Sequence, residues 1–162
     1  KHTPSAMNAQ ITRVVILLKE AHDQLWTLTK DALKKVVPED QFSSTDKKIT
    51  SFQQACGTVL FFEDHHVVTS LEEQFPLYKE NFSIWAHQEN GMAQLIVWSA
   101  LEAEGYGASL QHYTELIEES VKDYWQIPES WKLVAQMPFG TPTEKPSEKS
   151  FLPIKDRVKL YK

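Results

Sequence analysis

Gly57-Thr58-Val59-Leu60-Phe61-Phe62, closed by Glu63-Asp64-His65-His66, is a β-branched and aromatic run that ends abruptly in charge. Six residues without a polar break beyond one threonine predict a strand buried inside a sheet. Upstream, Arg13 to Leu18 is a second run of the same character and predicts a second buried strand. Downstream, Trp131 to Met137, introduced by a Pro128-Glu129-Ser130 turn, predicts a third.

Helical text fills the spaces between these runs. Ala21 to Val37 repeats Leu25, Leu28, Ala32, Leu33 and Val36 at three- and four-residue intervals and is stopped by Pro38. Pro38 to Ser44 reads as a polar loop, with Ser44 or Thr45 capping a helix to about Ala55. Val67 to Phe75 reads as a short helix stopped by Pro76, and Leu77 to His87 as a mixed aromatic and polar stretch, compatible with a helix, that Asn90-Gly91 separates from the next element. Met92 to Glu104 is apolar almost all round, which predicts a central or subunit-interface helix, ended by Gly105-Tyr106-Gly107. Ala108 to Tyr113 is then short and extended, and Glu115 to Tyr124 is helical.

A Pro-rich tail, Thr141 to Pro153, leads to Val158-Lys159-Leu160-Tyr161, whose composition suits a last strand. The alternation of helices with three or four short strands predicts an α/β or α+β sandwich. A strand that follows so long an extended segment can reach beyond its own subunit, so a dimer with exchanged ends is expected.

The 162 residues are the size of one domain, with a core large enough to need no staples. A composition that is 41% hydrophobic and 24% charged is that of a globular protein. Net charge of −5, with Arg13 and Arg157 the sole arginines, argues against nucleic acid as the main partner. The longest apolar runs are far shorter than the ~18–20 residues of a membrane helix. Cys56 is the single cysteine, which excludes intramolecular disulfides and CxxC sites and fits a reducing cytoplasm.

Most candidate chemistry reads blandly. Gln54-Ala55-Cys56-Gly57 only echoes a cysteine-protease signature, and a small core residue at the mouth of a strand is the better account of Cys56. Glu63-Asp64-His65-His66 offers metal-ligand types, but adjacent residues project in different directions, so a solvated strand-to-helix corner is expected. No Gly-x-Ser-x-Gly elbow, dinucleotide fingerprint or P-loop is present. Two stretches are more purposeful. In Pro4-Ser5-Ala6-Met7-Asn8-Ala9-Gln10, the amides of Asn8 and Gln10 fall on one side of an extended segment and each offers donor and acceptor, which suits a heterocycle edge; a capped turn before the Arg13 strand is the plainer reading. In Gly105-Tyr106-Gly107-Ala108-Ser109-Leu110-Gln111-His112-Tyr113, small residues let backbone approach a planar ligand closely; an ordinary helix stop and strand is the plainer reading.

Taken in order, these two stretches, Gly57 to Asp64, Gln74-Phe75-Pro76-Leu77-Tyr78, Trp98-Ser99-Ala100-Leu101-Glu102 and Pro128-Glu129-Ser130-Trp131-Lys132-Leu133 resemble the nitroreductase superfamily of flavin enzymes. The similarity is to its small bacterial and fungal branch, the fatty-acid-repression-mutant type. The resemblance implies an α+β homodimer, with a mixed or antiparallel sheet flanked by helices, an exchanged C-terminal segment, and two FMN molecules at the subunit interface. It implies that Pro4, Ser5, Ala6, Asn8 and Gln10 meet the flavin from one subunit. Leu110, Gln111, His112 and Tyr113 would line the isoalloxazine with backbone amides near N5. Lys48 would be a polar flavin contact, and Lys149 a basic contact to the phosphate. The family usually opens with a helix and an Arg-Arg pair that clamps the phosphate; residues 1–162 read as one domain that begins with Lys1-His2-Thr3 as the last turn of that helix.

By the same resemblance the activity is a ping-pong cycle, in which NADH or NADPH reduces FMN and a nitroaromatic or quinone-like acceptor is reduced in turn. The flavin carries the hydride, so no catalytic side chain is implied. Phe42, Phe75, Tyr78, Phe82 and Trp85 are candidates for the acceptor pocket wall, although aromatics at such spacings are commonly core. A reading of a different class is a flavin-free member of the fold acting as a binding or regulatory protein linked to fatty acids.

Overall fold

The computed structural model describes residues 1–162. Four strands make one sheet: β1 (Thr12–Leu18), β2 (Gly57–Asp64), β3 (Gly107–Ala108) and β4 (Trp131–Gly140). Six helices accompany them: α1 (Glu20–Lys34), α2 (Glu39–Gln53), α3 (His65–Gln74), α4 (Lys79–Ala103), α5 (Thr114–Trp125) and the single turn α6 (Ile154–Arg157). The strand order is β1-β2-β4-β3, and every pairing is antiparallel. The architecture is therefore α+β.

All eight residues of β2 are buried, because the strand has a neighbour on each edge and helices on each face. One face carries Leu60 and Phe62, which pack with Leu17, Leu25, Trp26, Ile49, Ile117, Val121 and Leu133 beneath α1, α2 and α5. The opposite face carries Val59 and Phe61, which join Ala135 and Met137 under Val97, Trp98 and Leu101 of α4. Alternation along one strand thus supplies both cores. Gly57 is required where β2 begins, since a Cβ there would lie 2.5 Å from Leu18 Cδ2 and 2.9 Å from the Leu17 carbonyl.

Thr58 places one hydroxyl among these apolar side chains, and it is fully engaged. Trp26 Nε1–H donates to Thr58 Oγ1 at 3.0 Å. His22 Nε2 lies 3.1 Å from the Gln53 carbonyl, which can only accept, so Nε2 holds the proton and Thr58 donates to His22 Nδ1 at 2.9 Å. At the other end of β2 the Glu63-to-His66 corner is structural: the two carboxylates are buried rather than solvated, while His65 is half-buried and His66 exposed. Asp64 accepts from the His66 N–H and pairs with Arg13 at 3.0 Å. Glu63 is 1% exposed, and His87 Nδ1 lies 2.6 Å from its carboxylate.

Several sequence expectations change. The loop expected over Pro38 to Ser44 is the start of α2: Pro38 takes the N-cap place, and Glu39 and Asp40 favour the positive helix end. Asn90-Gly91 does not divide two elements, because α4 runs through it for 25 residues. Asn90 is buried there and donates to the Phe62 carbonyl at 3.0 Å, and packing of this kind outweighs the roughly 1 kcal/mol that a mid-helix glycine costs. Gly105, at φ +84°, is the residue that ends α4. The fourth strand is β3 rather than Val158–Tyr161, which has no strand partner within the chain and is exposed, like residues 141–162 as a whole. Cys56 is exposed rather than buried, since its N–H bonds the Phe139 carbonyl at the very end of the sheet.

Candidate functional site

The residues Pro4 to Gln10 form a turn, not an extended segment. Ala6–Asn8 is one turn of 3₁₀ helix, and Met7, Asn8 and Gln10 sit at φ 53°, 55° and 52°. Left-handed conformations cost non-glycine residues about 1–3 kcal/mol each, with asparagine the most tolerant. Three of them within four residues persist only under external restraint. Ser5 Oγ accepts the Gln10 N–H at 3.1 Å, and Arg13, itself held by Asp64, donates to the Gln10 carbonyl. Ile11, 1% exposed, plugs into the pocket of Val68, Phe82 and Ala86 directly after the turn.

The strain presents amides. Asn8 and Gln10 are both exposed, and the Gln10 side chain reaches only the Asn8 carbonyl, at 3.4 Å. Pro4, Ser5, Ala6 and Met7 form one wall of a cavity of about 350 Å³ whose other wall is Trp85, Gln88 and Met92 of α4. Of the aromatic residues proposed as a pocket wall, Trp85 alone lines this cavity. Tyr78 stacks behind Trp85 at 6.0 Å, Phe82 is fully buried with Phe75 packed on it, and Phe42 stands apart on α2 beside Val37.

The second stretch lies on the opposite edge of the sheet. Odd residues bond inward to β4: Ser109 N–H to the Pro138 carbonyl at 3.1 Å, and Gln111 to Gln136 in both directions at 2.7 and 2.9 Å. In an antiparallel ladder the intervening residues face away, so the N–H groups of Leu110 and His112 enter no backbone pairing and point along the free edge. Tyr113 N–H turns back to the side chain of Gln136 at 2.7 Å before α5 begins. The Leu110 side chain packs into the α4-side core, and the Tyr113 ring lies edge-on to Trp26, so what these residues leave available is main chain, with the exposed His112 side chain beside it. Next to this edge a cleft of about 370 Å³ opens between Phe52 of α2 and Ala55 just after it on one side and Gly107, Ala108, Ser109 and Phe139 on the other.

Register fixes the separation of the two halves. Gln111 stands opposite Gln136, Gln136 opposite Leu60, and Leu60 opposite Val15, so three inter-strand steps of about 4.8 Å put the free edge about 14 Å from β1. The two sets of residues are not brought together within one protomer. Lys48 is exposed on α2 with Nζ 5.8 Å from the Phe52 ring centroid, one turn from the cleft, and Lys149 is exposed in the tail. Neither arginine is free to stand in for a phosphate clamp inside the fold, since Arg13 is spent on Asp64 and Gln10, and Arg157 is in the exposed tail.

The sequence and the fold have counterparts among known proteins. Residues 1–141 match the nitroreductase family. The chain is 37% identical over 161 residues to HBN1 of Saccharomyces cerevisiae, covering 99% of this chain and 78% of that protein. It is 32% identical over 152 residues to the nitroreductase FRM2 of the same yeast, covering 94% and 75%. The chain belongs to the nitroreductase family. Among solved structures, nitroreductase CinD from Lactococcus lactis in complex with chloramphenicol superposes with TM-score 0.91 at 41% identity, over 99% of this chain and 82% of that one. CinD has also been solved with 4-nitrophenol, and superposes at TM-score 0.90. The nitroreductase fold and a nitroreductase-type oxidoreductase class follow. Gln136, which anchors the free edge of this nitroreductase, is not among the residues the sequence singles out, although a glutamine inside the apolar run Leu133 to Met137 is the signal that could have marked it.

Proposed function

We propose that the chain is an FMN-dependent NAD(P)H oxidoreductase that reduces nitroaromatic or quinone-like acceptors by a ping-pong mechanism, working as a homodimer in the cytoplasm. The observation that carries this reading is the division of the donor set. Strained, amide-bearing Pro4 to Gln10 and the outward N–H groups of Leu110 and His112 lie on opposite edges of one sheet, so a single ligand meets both only between two chains.

The residues fit a flavin. Its ring edge carries carbonyls and ring nitrogens that accept from main-chain N–H groups and pair with carboxamides. When bound, FMN supplies the hydride chemistry. Leu110 and His112 N–H would donate to the flavin ring from one subunit, near N5, while Asn8 and Gln10 of the other subunit would pair with its ring and ribityl edge. Pro4, Ser5 and Ala6 hold the turn against that ring, Gln111 and Tyr113 hold the edge, and Lys48 adds a polar contact. Main-chain donors already fixed by the fold would need no reorganisation to meet the ring. Lys149 would be the basic contact to the FMN phosphate. The cavity between the turn and Trp85 accepts a flat aromatic substrate, the class to which the 4-nitrophenol bound by CinD belongs.

The subunit contact is supported by what the protomer leaves uncovered. Val14, Ile16 and Leu18 on β1 and Leu95 and Ile96 on α4 are exposed, and β1 has an open outer edge. The tail carries Val158, Leu160 and Tyr161, also exposed, and a tail strand from a second copy would cover that edge.

The test is reconstitution. The purified protein with added FMN is expected to show bound-flavin absorbance and to oxidise NADH or NADPH when 4-nitrophenol is supplied. Protein that stays colourless after exposure to FMN sinks the enzyme reading and leaves the flavin-free one.

A further inference from the structure

Gln136 is 0% exposed in the middle of β4, between the apolar Ala135 and Met137. Its backbone makes both bonds to Gln111, and its side-chain Oε1 accepts the Tyr113 N–H at 2.7 Å. One residue therefore holds alternate positions of the edge, on either side of His112. The local sheet geometry suits the task. Phe61 pairs with Ala135 and Phe62 with Leu133, so Val134 is bulged out of the β2 register, and its carbonyl accepts from Thr114 Oγ1 at 3.1 Å. The pairing of the outer edge with β4 ends at Gln111, and the Gln136 side chain extends it by one rung toward the start of α5.

The arrangement has a cost that ordinary packing would not impose. Gln136 Nε2 is buried without a partner, and an unmet donor in an apolar interior is destabilising. What the residue supplies in return is restraint on Gln111 and Tyr113, the two N–H groups that must face inward if those of Leu110 and His112 are to face out.

We propose that Gln136 is the positioning residue for the flavin-facing edge: it fixes the His112 N–H, and through the same register that of Leu110, as donors to the reactive side of the ring. This rests on the flavin reading above. Gln136 touches no ligand and acts only through the main chain of Gln111 to Tyr113.

The experiment compares the wild-type protein and Gln136→Leu by FMN titration, visible absorption of the bound flavin and amide hydrogen exchange. Leucine keeps the volume and removes the Tyr113 acceptor. The expected result is an FMN dissociation constant raised about tenfold, with the bound-flavin spectrum moved toward that of free FMN. Wild-type affinity and spectrum in Gln136→Leu overturn the proposal and leave the flavin reading standing. No FMN uptake by the wild-type protein overturns both. Should the variant fail to fold, exchange in the wild-type protein decides. The Gln111 and Tyr113 amides are expected to be slow before FMN is added, and Leu110 and His112 to be fast before and slowed after. Equal protection of all four by FMN contradicts the assignment.

Discussion

The two edges of the sheet are built for different neighbours. The β1 edge is seven residues long and apolar on its α4-facing side, with Ile16 63% exposed between Val14 and Leu18. A long, apolar, open edge is an aggregation hazard unless another chain covers it. The β3 edge has two residues of regular strand followed by a bridge at Gln111, and it offers main-chain donors beside a cleft. On the proposed function, the first takes another strand and the second a small planar molecule. Each flank also carries its own kind of preorganisation: conformational strain in the turn that enters β1, and a buried glutamine beneath the edge that continues β3.

This contrast can be broken at several points. The largest effect is expected from Ile16→Asp, which puts a charge in the centre of the apolar strip. Association of the proposed dimer should weaken by two orders of magnitude or more, on the order of 3 kcal/mol. Light scattering after size exclusion reads it, and an unaltered dimer would show that the β1 edge is not the contact. Next, Thr58→Val leaves both edges alone but strands Trp26 Nε1 and His22 Nδ1 in the core. Unfolding free energy should fall by about 2–4 kcal/mol in denaturant melts while FMN affinity stays near wild type. Lost FMN affinity in a folded Thr58→Val protein would mean that the cores and edges are not separable.

A smaller effect is expected from Asn8→Ala, which removes one carboxamide from the turn. FMN retention should drop about tenfold with the dimer intact, and unchanged flavin occupancy would refute the role given to Asn8. Smallest is Met7→Gly, which relieves a left-handed methionine at φ 53°. A gain of about 0.5–1 kcal/mol in thermal stability is expected, and a loss would show that the Met7 side chain, not the turn conformation, is what matters there.

Much of this fold is legible in the sequence because the strands are compositional extremes. Gly57 to Phe62, Arg13 to Leu18 and Trp131 to Met137 all lie within observed strands, and the helix expected from Ala21 matches α1 closely. What composition could not convey was tertiary. Gly91 sits mid-helix because Asn90 is anchored to Phe62, and the Pro38 segment is helical because proline at an N-cap starts a helix as readily as proline elsewhere stops one. The site was legible as two stretches of residues. The left-handed conformations of Met7, Asn8 and Gln10 were not, since none is glycine, and neither was the alternation that turns Leu110 and His112 outward, which exists only once Gln111 has found Gln136 across 25 residues of chain.

On the proposed function, each flavin site takes its turn from one subunit and its edge from the other. Mixing Asn8→Ala and Gln136→Leu subunits and isolating the heterodimer tests it directly by FMN titration. If the halves come from different chains, both lesions fall in one site and the second site is intact, so the heterodimer regains one wild-type-affinity site per dimer. If each chain builds its own site, every site carries one lesion, and no wild-type-affinity site returns.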